Sequence, residues 1–288
     1  MIAAQFDYKV PNSLEEAVSL IAADPDGSKI LAGGHSLIPA MKLRLAQPQV
    51  LVDIARIKSL AYIREQGDEI LIGATTTHYQ LESSALLRQI CPLLPLCAAS
   101  IGDVQVRNKG TIGGSLAHSD PAGDWPAAAL ALKAELVLIG QGGERVVKAD
   151  DFFVDFLTTD LQPGEILREI RIKKPTGKFG HAYEKVPHPA SGFAVVGVAV
   201  NLSLKADGSC ESASIGVTGV GVKAYRPNGA ESALSGSSLN DAAVIEAASH
   251  ACDGVDLNND LFASGEYRCH LAKVHTRRAI AKAKASAK

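Results

Sequence analysis

The stretch VRNKGTIGGSLAHSDPAGD, residues 106–124, constrains this chain more than any other. Gly110, Gly113, Gly114 and Gly123 stand there with a threonine, two serines and two aspartates, between an apolar segment and a Trp-Pro-Ala helix start at Trp125. An ordinary core strand or helix does not gather so many glycines and small polar residues. Glycine reaches positive φ and lets backbone N–H groups approach a ligand with no side chain in the way, as phosphate cradles require. The segment therefore reads as a ligand loop. A second glycine turn, Ala32, Gly33, Gly34, His35, Ser36 and Leu37, lies far upstream. Two such turns fit a long, two-ended ligand.

The upstream turn has a readable setting. Phe6, Tyr8 and Val10 alternate with polar residues as in a short strand, and Ser13 with Glu16 forms a capping-box pattern before a helix over 17–23. A brief strand over 29–32 runs into the Gly-Gly turn; residues 37–45 are expected to be helical and 50–54 to form the next strand. In this small β-α-β unit the turn amides would point outward at a helix N-terminus, where a phosphate is stabilised. The spacing matches neither the G-x-G-x-x-G fingerprint nor the phosphate loop ending in Gly-Lys, because the glycines are adjacent and no lysine follows. One Gly-Gly pair by itself is more often a plain tight turn, and His35 by itself a surface residue.

Further on, a hairpin is expected over 63–72, and Thr75, Thr76, Thr77 and His78 form a polar turn capping a helix over 79–87. Residues 92–101 read as a buried helix, 125–132 as a helix, and 134–139 and 145–148 as a hairpin around Gly140. An alternating strand over 165–172 ends at Lys173, Lys174 and Pro175, where a boundary is placed. Strands over 180–185, 193–204 and 211–220, helices over 230–234 and 240–252, and a basic helix over 267–288 complete the chain. The fold class is α+β: a first domain over 1–173, divided into 1–57 and 58–173, and an α+β C-terminal domain over 174–288.

With 29 Lys+Arg against 31 Asp+Glu the net charge is −2, which argues against a general electrostatic grip on nucleic acid. No basic leader precedes an apolar run, and no run approaches the roughly 20 apolar residues of a membrane span. A cytoplasmic protein is expected. The cysteines, Cys91, Cys97, Cys210, Cys252 and Cys269, contain no C-x-x-C pair, so neither an iron-sulfur cluster nor structural zinc is expected in this chain. No Ser-His-Asp set, carboxylate pair or histidine metal cluster demands a catalytic role, and none is assigned.

Taken together, Ala32 to Leu37 and Thr111, Ile112, Gly113, Gly114 and Ser115, followed by Asp120 and Asp124, resemble the FAD-binding medium subunits of molybdenum hydroxylases, the xanthine oxidase family, and most nearly the carbon monoxide dehydrogenase type. The resemblance covers essentially the entire chain. It implies a two-subdomain FAD-binding fold of the vanillyl-alcohol-oxidase (PCMH) type and a C-terminal domain that helps cover the flavin. Ala32, Gly33, Gly34, His35, Ser36 and Leu37, with Thr111, Ile112, Gly113, Gly114 and Ser115, would wrap the pyrophosphate and the flavin end through backbone N–H groups and the hydroxyls of Ser36, Thr111 and Ser115. Asp124 would accept hydrogen bonds from FAD hydroxyls, or else cap the helix at Trp125. Leu167 would pack against the cofactor. Lys185 would lie near the isoalloxazine, where a cation stabilises the reduced, anionic flavin.

The resemblance further implies an electron-transfer subunit whose partners are a small subunit carrying two [2Fe-2S] clusters and a large subunit carrying the molybdenum cofactor, assembled as a dimer of heterotrimers. The missing cysteine pairs fit that division. One departure stands out: a tyrosine that covers the flavin in the carbon monoxide enzymes is matched here by Phe193, which keeps ring stacking and loses the phenolic hydrogen bond. Residues 186–190, VPHPA, also differ from the basic stretch expected there, which argues against carbon monoxide as the substrate. Two rivals remain at this stage. One is a self-contained flavin dehydrogenase or oxidase using Lys185, Tyr183 or His188 as base; the other is a non-catalytic nucleotide-binding protein.

Overall fold

The computed structural model describes residues 2–287. The chain opens with a parallel three-stranded sheet of β1 (Asp7–Lys9), β2 (Ser28–Leu31) and β3 (Val50–Asp53), in the order β1-β3-β2. Helix α1 (Leu14–Ala23) begins at Ser13, whose hydroxyl accepts from Glu16 N, and buries Leu14, Ala17, Val18 and Ile21 against this sheet. The short helix α2 (Leu37–Lys42) connects β2 to β3, so Gly33 and Gly34 lie at a strand-to-helix turn as the sequence predicts.

The second unit is built on an antiparallel sheet of β4 (Ile63–Gln66), β5 (Glu69–Gly73), β6 (Glu135–Gly140), β7 (Gly143–Lys148) and β10 (Ile166–Lys173), ordered β4-β5-β10-β6-β7. A two-stranded ribbon of β8 (Phe153–Asp155) and β9 (Thr158–Thr159) follows the short helix α9 (Ala149–Phe152). Between β5 and β6 run α3 (His78–Ser83), α4 (Ala85–Ile90), α5 (Leu93–Ala99), α6 (Val104–Lys109), α7 (Ile112–His118) and α8 (Asp124–Ala131). The single helix expected over 79–87 is two helices, because Ser84 turns to an extended conformation and accepts from Leu87 N to start α4.

The largest departure lies in residues 106–124. What reads as one ligand loop is mostly the end of α6 and the whole of α7, with Gly113 and Gly114 inside a helix. Packing overrides glycine's poor helix propensity. A Cβ at Gly113 would stand 2.5 Å from Ala74 Cβ and 2.6 Å from Ala74 O, so no larger residue lets α7 approach the turn after β5 so closely.

The C-terminal unit is an antiparallel sheet of β11 (Lys178–Pro187), β12 (Ala194–Leu204) and β13 (Cys210–Thr218), with α10 (Asn228–Leu234), α11 (Asp241–Ser249) and the long α12 (Gly265–Ser286). Along β12 nearly every residue is buried, because both faces of the sheet are covered. On one side lies α12, close enough that a Cβ at Gly180 would meet Ala283 O at 1.9 Å. On the other lies α8, where Gly216 makes the same approach to Ala127 O at 2.0 Å. Helix α8 is accordingly buried at every position and joins the two units.

Candidate functional site

The two glycine turns meet. A Cβ at Gly33 would lie 2.4 Å from Lys109 O and 2.7 Å from Gly110 Cα, and one at Gly114 would find Ala32 Cβ at 3.9 Å. Three backbone bonds from a single segment, residues 74–78, hold the second turn in place. His78 N donates to Gly110 O at 3.0 Å, Ile112 N to Thr76 O at 3.0 Å and Gly113 N to Ala74 O at 2.9 Å, while Thr77 and Thr111 form an isolated antiparallel bridge. Thr77 also caps α3 in a full capping box with Gln80. The threonine turn thus does more than cap: it clamps the start of α7.

The backbone polar groups of the two turns differ sharply. At the second, Ile112, Gly113, Gly114 and Ser115 all donate within the protein, Gly114 N to Thr111 Oγ1 at 3.1 Å and Ser115 N to Thr111 O at 3.0 Å. At the first, no acceptor among the described residues receives the N–H of Gly33, Gly34, His35, Ser36 or Leu37. Gly34 has φ +76°, which a residue with a side chain rarely adopts and which is the kind of left-handed step that anion-binding backbone nests use. Five consecutive donors with no internal acceptor are the donor set that a pyrophosphate satisfies. The residues present therefore fit a dinucleotide: a row of free amides abuts a helix start at which Gly114 is exposed and carries no side chain toward Ala32.

Asp124 and Lys185 are brought together from positions far apart in sequence. Asp124 is the first residue of α8 and does not cap it; its Oδ2 accepts from Lys185 Nζ at 2.9 Å and its Oδ1 from Tyr183 OH at 2.6 Å. Lys185 Nζ also donates to Ser100 O at 2.9 Å. Both charged groups are buried. Burial pushes the Asp124 carboxyl up, an effect that the Lys185 ammonium offsets in part. Burial also drives the Tyr183 hydroxyl well up, so it remains a donor. Removing one member of such a pair strands the other, at about 3–5 kcal/mol.

Leu167 is buried on β10, paired with Leu138 on β6, within the core beneath the helices. Phe193 is 45% exposed at the end of the turn between β11 and β12, a turn closed by His188 N donating to Phe193 O at 2.7 Å. The residue that sequence reasoning missed is His78, 4% exposed, whose ring packs against Gly110. Its signal was present in the polar run after β5, but Gly110 is its partner through the fold alone.

The loop after α7 is seated on the C-terminal sheet. Thr218 Oγ1 lies 2.7 Å from Pro121 O and 2.8 Å from Gly123 O, with its one proton shared between the two carbonyls, and Gly219 N donates to Pro121 O at 2.7 Å. Fold and site together define a dinucleotide-binding α+β protein closed by a C-terminal sheet. The family model described as the FAD binding domain in molybdopterin dehydrogenase matches residues 4–175, and that of the CO dehydrogenase flavoprotein C-terminal domain matches 181–283. The chain belongs to this family of FAD-binding medium subunits and is a flavoprotein component of an oxidoreductase.

Among its relatives is the carbon monoxide dehydrogenase medium chain of Hydrogenophaga pseudoflava, 40% identical over 280 residues, 97% of either chain. The alpha subunit of the 6-hydroxypseudooxynicotine dehydrogenase complex of Paenarthrobacter nicotinovorans is 37% identical, over 96% of this chain and 94% of that one. The solved carbon monoxide dehydrogenase from Hydrogenophaga pseudoflava superposes over the whole of both chains with a TM-score of 0.97 at 41% identity. Quinoline 2-oxidoreductase from Pseudomonas putida 86 does so with a TM-score of 0.92 at 32% identity, over 99% of each. The similarity thus extends to relatives named for quite different substrates.

Proposed function

We propose that this chain is the FAD-binding electron-transfer subunit of a heterotrimeric molybdenum hydroxylase. It receives electrons from two [2Fe-2S] clusters of a small partner subunit and passes them to an external acceptor, while a large partner carries the molybdenum cofactor. The assembly is a dimer of heterotrimers in the cytoplasm. Residues 1–173, in halves 1–57 and 58–173, form the FAD unit, and 174–288 cover it. The observation that carries the reading is the free amide row of Gly33 to Leu37 set against the start of α7.

The chain's own residues divide the work. Ala32 to Leu37 bind phosphate oxygens through N–H groups, with the Ser36 hydroxyl beside them. Thr111 to Ser115 supply a close, side-chain-free wall with two hydroxyls. Asp124 keeps lone pairs for a cofactor hydroxyl beyond those facing Tyr183 and Lys185. Lys185 places a fixed positive charge beside it, Phe193 contributes exposed apolar surface, and Leu167 backs the site from the core below. Bound FAD supplies the redox chemistry.

The self-contained dehydrogenase reading loses its bases: Lys185 and Tyr183 both donate to Asp124, and His188 Nδ1 accepts from Ala190 N. Purification from the native source is expected to yield this chain with two others, iron and molybdenum. Recovery as a lone yellow protein that is bleached by an organic substrate would overturn the assignment. In the recombinant chain, Gly114→Trp is expected to abolish the yellow colour at unchanged secondary structure.

A further inference from the structure

His78 is a buried group at the seam between the turns with one ring nitrogen unused. It opens α3, its N–H is held by Gly110 O, and its Nδ1 accepts from Trp125 Nε1 at 3.0 Å. An indole N–H can only donate, so Nδ1 must offer a lone pair. Burial lowers the imidazole to about 4, and the charges of His35 and Arg107 act in the same direction. The neutral ring therefore carries its proton on Nε2.

That Nε2–H has no partner among the described residues, and it is not sealed off. The buried unpaired side-chain atoms include both ring nitrogens of His181 but not Nε2 of His78. It faces Gly110, where a Cβ would stand 2.6 Å from it, and the Cα of Gly110 in turn meets Gly33. A side chain at 110 would collide with this donor, so the glycine is what lets the ring tip sit at the junction of both turns. The other groups around it are occupied: Arg107 is held by Glu82 and Ile101 O, and Thr77 by Gln80.

We propose that His78 is a further cofactor-binding residue, whose Nε2–H donates to an acceptor oxygen of the bound flavin dinucleotide, with Trp125 selecting the tautomer that makes it a donor. The proposal rests on the FAD reading above. Two substitutions separate the ring's two nitrogens. His78→Asn keeps an acceptor for Trp125 and lacks the donor at the ring tip; His78→Gln places an N–H near the Nε2 position and gives up the acceptor.

Titrating FAD into the apo full-length chain by flavin fluorescence, with the apo Tm measured alongside, reads both properties. His78→Gln is expected to bind FAD within about threefold of the parent, and His78→Asn at least roughly tenfold more weakly. Equal FAD affinity in His78→Asn and the parent, or equal losses in both variants tracking Tm, overturns the proposal alone. A parent chain that takes up no FAD overturns the FAD reading and the proposal with it. Should either variant fail to fold, imidazole 15N spectra of the parent decide: FAD is expected to shift the His78 Nε2–H resonance far more than Nδ1, and an unmoved Nε2 signal refutes the contact.

Discussion

The two Gly-Gly pairs look alike in sequence and do opposite things. Gly33 and Gly34 sit in a turn whose amides have no internal acceptor, whereas Gly113 and Gly114 sit in a helix whose first amides are all bonded to the threonine turn and to Thr111. The first pair offers donors; the second lets α7 come close to Ala74 and leaves the facing surface bare. A glycine pair is therefore a statement about distance as much as about backbone conformation. Which meaning applies depends on where the neighbouring N–H groups point.

The sharpest way to break the comparison is at the point of contact. In Gly33→Val the new Cβ meets backbone atoms of Lys109 and Gly110, which no rotamer change relieves, so the turns must part. FAD affinity is expected to fall more than roughly a hundredfold, about 3 kcal/mol, while α7 stays intact. Full FAD retention in that variant would mean the turns do not share one ligand.

The next effect is one of pH and bears on the second turn alone. His78 is lowered from 6.5 to about 4 in the folded chain, so as pH falls the unfolded chain takes up the proton first. Its contribution to stability is complete above 6.5 and is lost progressively as pH falls toward 4, by up to about 3 kcal/mol. Urea midpoints from pH 7 to 4.5 are expected to fall more steeply in the parent than in His78→Asn; parallel profiles would show that His78 is not held neutral.

The smallest effects separate the members of the second pair. Gly113→Ala pushes a methyl into Ala74 and is expected to cost about 2 kcal/mol of stability. Gly114→Ala meets only the Thr111 hydroxyl at 2.8 Å and gains helix propensity, leaving a net change within about 1 kcal/mol. Thermal melts that rank the two the other way round would misplace α7 against the turn after β5.

Much of this was legible beforehand because the signals were local. Ser13 with Glu16, the glycines after β2, and the alternation along β10 and β12 each announce an element from its own residues. The helix over residues 112–118 was not legible, because glycines mark breaks unless a neighbour forces them, and that neighbour, Ala74, lies in another segment. The Asp124–Lys185 pair and the His78–Trp125 bond were hidden for the same reason: each joins residues 61 and 47 positions apart. Motif reading picked out both glycine turns, and only tertiary contacts showed that they meet and how their amides differ.

The bonds from Thr218 and Gly219 to Pro121 and Gly123 carry a consequence for biogenesis. On a ribosome the cradle is synthesised early, yet the loop beyond α7 gains its anchor only after about a hundred further residues have been added. That loop therefore stays without its anchor until the last sheet has been made, and a chain truncated before Thr218 would leave uncovered the flank of α8 that packs on Gly216.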